Sequence, residues 1–446
     1  MSQLRDLPRV DAVAADPVLN AFPESIRVRA ARMAIETIRH DLLEGKITDI
    51  DNASTMAFEI AQKMTRPSLR DAINLTGVVL HTGLGRARLA KPVVDQMLGI
   101  LSSHCLVELD IETGKRGSRQ DHVKGMLKEL TGAEDILVVN NCASSVLLTL
   151  MCLCSGKEVI LSRGEMIEIG GSFRMPDIVR QSGCQLVEVG CTNKTHLRDY
   201  EEAITENTGA ILHCHQSNYK MVGFVLRQTL QDLAELGRKR NVMVIEDIGA
   251  GCLLDTSLYG LPREETLQEA IAAGPDVVLS SGDKLLGGPQ CGILLGKASV
   301  IGRIKKHPLA RALRVDKLTM TALEGTLRLY IEGRERELPV WHYISASMES
   351  VKDKAKKMAK AYKGKTVVQE GITEIGGGSL PGSGVPTWRV GFPSASPEQL
   401  LKEFRMCEPP LIGRIEDDLV WLDPRTLEDD ELPRVVQALE NLSQEP

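Results

Sequence analysis

SSGDKLLGGPQCGILLG, residues 280–296, anchors the reading of this chain. DVVLS (276–280) and GILLG (292–296) are short apolar runs, and Lys284 lies between them in a glycine-bounded loop. Small neighbours let the backbone come close to a bulky ligand, and a lysine at a strand exit can form a Schiff base with a cofactor aldehyde. Taken alone, Lys284 could equally be a surface lysine in a turn. Working outward, further apolar runs recur at INLTGVVL (73–80), DILVV (135–139), EVILS (158–162), QLVEV (185–189), GAILHCH (209–215) and VMVIE (242–246). Helix-like segments separate most of them, including 197–206 and 227–240. This alternation predicts an α/β fold: a mostly parallel sheet covered by helices, with its ligand at the carboxyl ends of the strands.

Two more features belong with Lys284. Asp247, at the end of VMVIE, could pair with a protonated pyridine nitrogen; its ordinary alternative is capping a turn. VVNNCASSVLL (138–148) reads as strand, turn and helix, with Asn141, Ala143 and Ser144 at the helix start, where backbone amides can bind phosphate. The hydroxyls of Ser280 and Ser281 are further candidates for the phosphate. A phosphate turn, an Asp and a Lys in that order fit pyridoxal 5'-phosphate in a large aminotransferase-like domain. Arg86, after a strand, and Arg311 and Arg314, which share a face if their segment is helical, suit an anionic substrate.

Basic residues number 54 against 60 acidic ones, giving −6, which argues against bulk nucleic-acid binding but allows a local basic patch. The ten cysteines contain no C-x-x-C pair, so no metal site or disulfide framework is signalled, and a reducing cytoplasmic setting is expected. The N-terminal stretch lacks the apolar core of a signal peptide. Ile136–Gly156 is uncharged, yet Asn140, Asn141, Ser144 and Ser145 interrupt it, so it reads as strand, turn and helix rather than a membrane span. Residues 1–70 predict a helical unit, with Ile26, Ala30, Met33, Ile38 and Leu42 on one period and Ile50, Ala53, Ala57, Ile60 and Met64 on a second. Arg27, Arg29, Arg32 and Arg39 cluster on its first helix. The expected division is 1–70 helical, 71–332 cofactor-binding, and 333–446 a small α/β domain, with GGGSLPGSG (376–384) as a loop and PLIGRIEDDLVWLD (410–423) as a hairpin-like pair.

INLTGVVLHTGLGRA (73–87), AEDILVVNN (133–141), GKEVILSRGEMIEIGGSFRMPDI (156–178), ENTGAILHCHQSNY (206–219), SGDKLLGGPQ (281–290), HPLARALRVDK (307–317) and PLIGRI (410–415) carry a resemblance. Along nearly its whole length the chain resembles the bacterial L-seryl-tRNA(Sec) selenium transferases, or selenocysteine synthases. It departs from their usual pattern at Gly83, at Ser118 in KRGSR (115–119), and at Gln216. The resemblance implies a fold-type I pyridoxal-phosphate enzyme with Lys284 as the Schiff-base lysine. Asp283 and Asn218 match active-site positions, and Arg86, Arg311 and Arg314 match selenophosphate-binding ones. It also implies an N-terminal domain gripping tRNA(Sec) charged with serine, and a homo-oligomeric ring of dimers with active sites between subunits. The expected reaction replaces the seryl hydroxyl by selenium through an aminoacrylyl-tRNA, with Lys284 as general base and Asp283 assisting the departing hydroxyl. The alternatives are a pyridoxal-phosphate β-eliminating lyase acting on a small phosphorylated amino acid or amino sugar, and a catalytically silent tRNA-binding protein.

Overall fold

The computed structural model describes residues 4, 6–47, 50, 52–171 and 173–442; the remaining positions of the expected 1–70 and 333–446 domains lie outside the described residues. The chain divides into two compact units, Met1–Asp71 and Ala72–Pro446.

The first unit is built from the helices Val10–Ala14, Glu24–Leu43 and Ala53–Thr65. Its core is unusually rich in the smallest apolar side chain: Ala30, Ala31, Ala34, Ala53, Ala57 and Ala61 are all buried, beside Ile35 and Ile38. Small residues let helix backbones approach closely, and their spacing by three and four places them on one stripe. Met33 falls off that stripe and is 43% exposed, so its expected core role is not found. Arg29, Arg32 and Arg39 are exposed, while Arg27 is half-buried and donates to Asn20. Among the described residues no helix is long and apolar enough to cross a membrane.

The second unit contains a seven-stranded sheet, in spatial order Asp135–Val139, Gly292–Gly296, Val277–Ser281, Met243–Gly249, Thr208–Cys214, Glu158–Ser162 and Gln185–Val189. Gly292–Gly296 runs antiparallel to both neighbours, and the other pairings between adjacent strands are parallel. The strands 135–139, 208–214, 277–281 and 292–296 are buried throughout. Burial on both faces explains why they read as continuous apolar runs. One apolar cluster includes Ile136, Val138 and Val244, and a second includes Leu137, Val139 and Ile245, as alternation along each strand requires. The helix expected over 227–240 begins at Leu230, because the Thr229 side chain accepts from the Asp232 amide and caps it. The helix expected over 197–206 closes earlier, at Ala203.

INLTGVVL is a correction. It forms two short strands, Ile73–Asn74 and Val78–Leu80, and neither joins the seven-stranded sheet. Asn74 breaks the run: its side chain donates to the Val78 carbonyl and accepts from the Thr76 amide and hydroxyl, closing a tight turn. Ile73–Asn74 pairs with Leu411–Ile412, and Val78–Leu80 pairs with Val367–Gly376 at the edge of a five-stranded C-terminal sheet. The hairpin expected over 410–423 is accordingly confined to Arg414–Glu416 and Leu419–Leu422, turning at Asp417 and Asp418. GGGSLPGSG connects the antiparallel strands Val367–Gly376 and Gly384–Pro393.

The alanine interface of the first unit leaves no room for growth. Ala57→Leu should cost about 1–3 kcal/mol through overpacking, read as a lower urea midpoint for the helical unit.

Candidate active site at the carboxyl edge of the sheet

The turn between Val277–Ser281 and Gly292–Gly296 is closed by backbone bonds from Gly282 to Cys291, Gly287 to Lys284 and Gly288 to Gly282. This fixes Lys284 at the carboxyl edge with its side chain directed inward, and the residue is only 7% exposed. It lines a cavity of about 300 Å³ together with Asp247, Asn141, Ala143, Ser281, Asp283 and Arg86. These come from separate stretches of chain, brought together by the parallel register.

Asn141 caps the helix Cys142–Cys154: its side chain accepts from the Ser144 amide, while the Ser144 hydroxyl accepts from the Asn141 amide. The first amides of that helix have no intrahelical acceptor and suit an anion. Ser144 is thereby placed in the cap, outside the cavity lining, and Ser280 is likewise outside it. Asp247 Oδ1 accepts from the Cys142 thiol at 3.4 Å. Burial raises Asp247 to about 6, while Lys284 pulls it back. A cationic ring nitrogen at this carboxyl would favour its charged form.

Asp283 accepts a 2.7 Å bond from Arg86, whose backbone takes a left-handed conformation at φ 61°. Arg311 and Arg314 do not line this cavity. Nor do they share a helical face: the helix spans Pro308–Ala312, and Arg314 lies beyond it in a bridge with Val139. The Asn140 amide bonds the Leu313 carbonyl, which ties that segment to the end of the strand Asp135–Val139. Arg314 is engaged by Glu108 at 2.9 Å, which also binds Arg116 and Arg119. Hydrogen bonds from Arg119 and Arg116 hold Glu108 down at about 2. Asn218 donates to the Glu168 carbonyl and lines an adjoining cavity of about 370 Å³, beside His81, Thr82 and the 376–383 loop.

The sequence reading did not single out His215, Ser217, Cys142, Phe173 or Gly378. His215 had a signal, since it follows an apolar strand at its carboxyl end. Gly378 had none, because its role depends on a hairpin far along the chain. It takes φ +85°, and a Cβ built there would lie 2.6 Å from Lys284 Nζ and 2.9 Å from Cε. The glycine thus leaves space for the lysine to reach its cavity.

The sequence profile of the L-seryl-tRNA selenium transferases matches residues 72–428. The chain is 45% identical to the L-seryl-tRNA(Sec) selenium transferase of Solidesulfovibrio magneticus, covering 98% of this chain and 97% of that one. It is 43% identical to that of Carboxydothermus hydrogenoformans, again over 98% and 97%. The chain belongs to the L-seryl-tRNA selenium transferase family. Among solved structures, D-glucosaminate-6-phosphate ammonia-lyase is similar in fold, with a TM-score of 0.60 at 21% identity over 86% of this chain and 98% of that one. The fold is the fold-type I arrangement of pyridoxal-phosphate enzymes expected from the sequence. Within this selenium transferase family member, a lysine, an acid and a helix N-terminus around one cavity fit pyridoxal phosphate, and Gly378 keeps space beside Lys284.

Gly378→Ala should therefore weaken pyridoxal phosphate uptake about 10-fold, because an alanine at positive φ is strained and crowds Lys284. Titration of the visible absorbance measures this, and unchanged affinity would show that Lys284 clears the loop.

Proposed function

We propose that the protein converts L-seryl-tRNA(Sec) to L-selenocysteinyl-tRNA(Sec), with selenophosphate as the selenium donor, for selenoprotein biosynthesis in the cytoplasm. The observation that carries this reading is the buried Lys284 beside Asp247 and the helix N-terminus, in a chain with full-length relatives of that activity. Lys284 would hold pyridoxal phosphate, the amides of Cys142 and Ala143 would take its phosphate, and Asp247 would face its ring nitrogen. When bound, the cofactor supplies an electron sink for the pair left by the seryl Cα–H bond. Lys284 Nζ is placed to take the Cα proton. Arg86, steadied by Asp283, offers a guanidinium to the anionic selenium donor. Asn218, beside the adjoining cavity, is assigned to substrate contact.

Arg311 and Arg314 are exposed and outside the cavity of their own chain, which suits a site completed by a second copy. Val94, Leu98 and Leu101 are exposed at helical spacing on Lys91–Leu101, an apolar face that a homo-oligomer would cover. The helical unit, residues 1–70, is assigned to tRNA. Its exposed Arg29, Arg32 and Arg39 fall within about 80° of one another around the helix and suit backbone phosphates. Residues 71–332 are assigned to the cofactor and 333–446 to the small domain, with whose strands Ile73–Asn74 and Val78–Leu80 pair. The lyase alternative provides no role for the arginine-bearing unit.

Purified protein with pyridoxal phosphate should transfer selenium from selenophosphate to seryl-tRNA(Sec) but not to seryl-tRNA(Ser). Lys284→Ala should abolish both the visible absorbance and turnover; full activity in that variant would sink the mechanism. Deletion of residues 1–70 should remove tRNA binding while leaving cofactor uptake, and unchanged tRNA binding would favour the lyase reading.

A further inference from the structure

The cavity holds a titratable group that the reaction as described leaves unused. His215 follows the strand Thr208–Cys214 and lines the same cavity as Lys284 and Asp247. Its Nδ1 is sealed from solvent and has no hydrogen-bond partner among the described residues. It faces Oε1 of Glu264 at 3.7 Å, an atom likewise sealed and unpartnered. That separation is too long for a formed hydrogen bond, yet a small ring rotation would close it. Glu264 is 4% exposed, and its amide is fixed by the Thr256 hydroxyl at 2.8 Å. Two buried polar atoms left without partners and facing each other beside a cavity call for a functional explanation.

The surroundings determine where that proton rests. Burial, then Arg227, His213 and Lys284, push His215 down to about 4. Burial and the neighbouring Glu265 push Glu264 up to about 7, with Lys284 opposing. Near neutral pH the imidazole is uncharged and the carboxyl holds the pair's proton part of the time. Asp283, the acid beside Lys284, is instead taken up by Arg86.

We propose that His215 is a further catalytic residue, delivering from Nε2 the proton that turns the departing seryl hydroxyl into water, with Glu264 as the positioning residue that refills Nδ1. The inference rests on the function proposed above. The Cβ–O bond breaks with its electron pair going to oxygen, and the Nε2 proton joins that oxygen. The Glu264 proton passes to Nδ1, leaving a carboxylate; the pair resets when solvent returns a proton to Nε2 and Nδ1 gives its proton back to Glu264. The Cα proton stays on Lys284, so the step needs no oxidant or reductant.

Glu264→Gln and His215→Asn test it. Glutamine keeps the shape and can still bond the ring, but it cannot give up a proton. Without cofactor, the wild type should lose melting temperature relative to Glu264→Gln as pH rises from about 4.5 to about 7, because an acid with a raised folded-state pKa binds its proton more tightly when folded. With pyridoxal phosphate, both variants should keep the visible absorbance and a KM for seryl-tRNA(Sec) within about 3-fold, while kcat falls about 100-fold. Wild-type kcat should decline through the Glu264 titration, and that decline should vanish in Glu264→Gln. An active wild type whose variants keep its kcat and pH profile overturns the His215 step alone, as does a melting difference flat across that range. A wild type that transfers no selenium overturns the function reading, and the His215 step with it.

Discussion

The candidate site depends on one close approach of backbone to backbone. The antiparallel strand Gly292–Gly296 is wedged between Asp135–Val139 and Val277–Ser281, with Gly292 opposite both Val139 and Ser281. A Cβ at Gly292 would stand 2.2 Å from the Asn141 carbonyl oxygen. Because no side chain intervenes, the turn carrying Lys284 and the capped start of Cys142–Cys154 lie at one edge of the sheet. Lys284 and the first amides of that helix are distant in sequence, and this contact brings them to one cavity.

Alternation along the central strands then sorts charge between two environments. Asp247 faces the cavity, whereas its neighbour Glu246 bonds the buried His213 at 2.5 Å. Burial disfavours a charged His213, but Glu246 and Glu165 outweigh it and raise it to about 9. Arg227 completes this group through Glu165 and the Cys214 carbonyl. Successive residues of one strand must point to opposite faces. The same stretch can therefore present an acid to the cavity and bury another in an ionic cluster behind it.

What was legible in the sequence follows from this geometry. Seven of the eight expected strands lie in the central sheet, and the four buried throughout read as continuous apolar runs. Lys284, Asp247, Asn141 and Ala143 were legible because each sits at a strand end or helix start, where position alone constrains chemistry. INLTGVVL misled because its two halves pair with C-terminal strands in two different sheets, and the Asn74 turn that divides it depends on side-chain bonds rather than hydropathy. Arg311 and Arg314 looked like a pair on spacing alone, but the Val139 bridge and Glu108 fix Arg314 outside the helix. Gly378 and Glu264 were hidden for a related reason. Each matters through a neighbour remote in the chain, Lys284 for one and His215 for the other, and no local pattern records such contacts.

Overall charge likewise misleads when read as one number. Residues 1–70 hold as many basic as acidic side chains, so the surplus of −6 belongs entirely to the remainder. Within the helical unit, the same balance coexists with exposed Arg29, Arg32 and Arg39 on one helix. An acidic body repels a polyanion over roughly a Debye length, about 8 Å at physiological salt, whereas contact arginines act at hydrogen-bond range. In the role proposed for the helical unit, a polyanion would be drawn to a small basic face despite the net negative charge of the whole. Net negative charge is then compatible with nucleic-acid binding and restricts where it can occur.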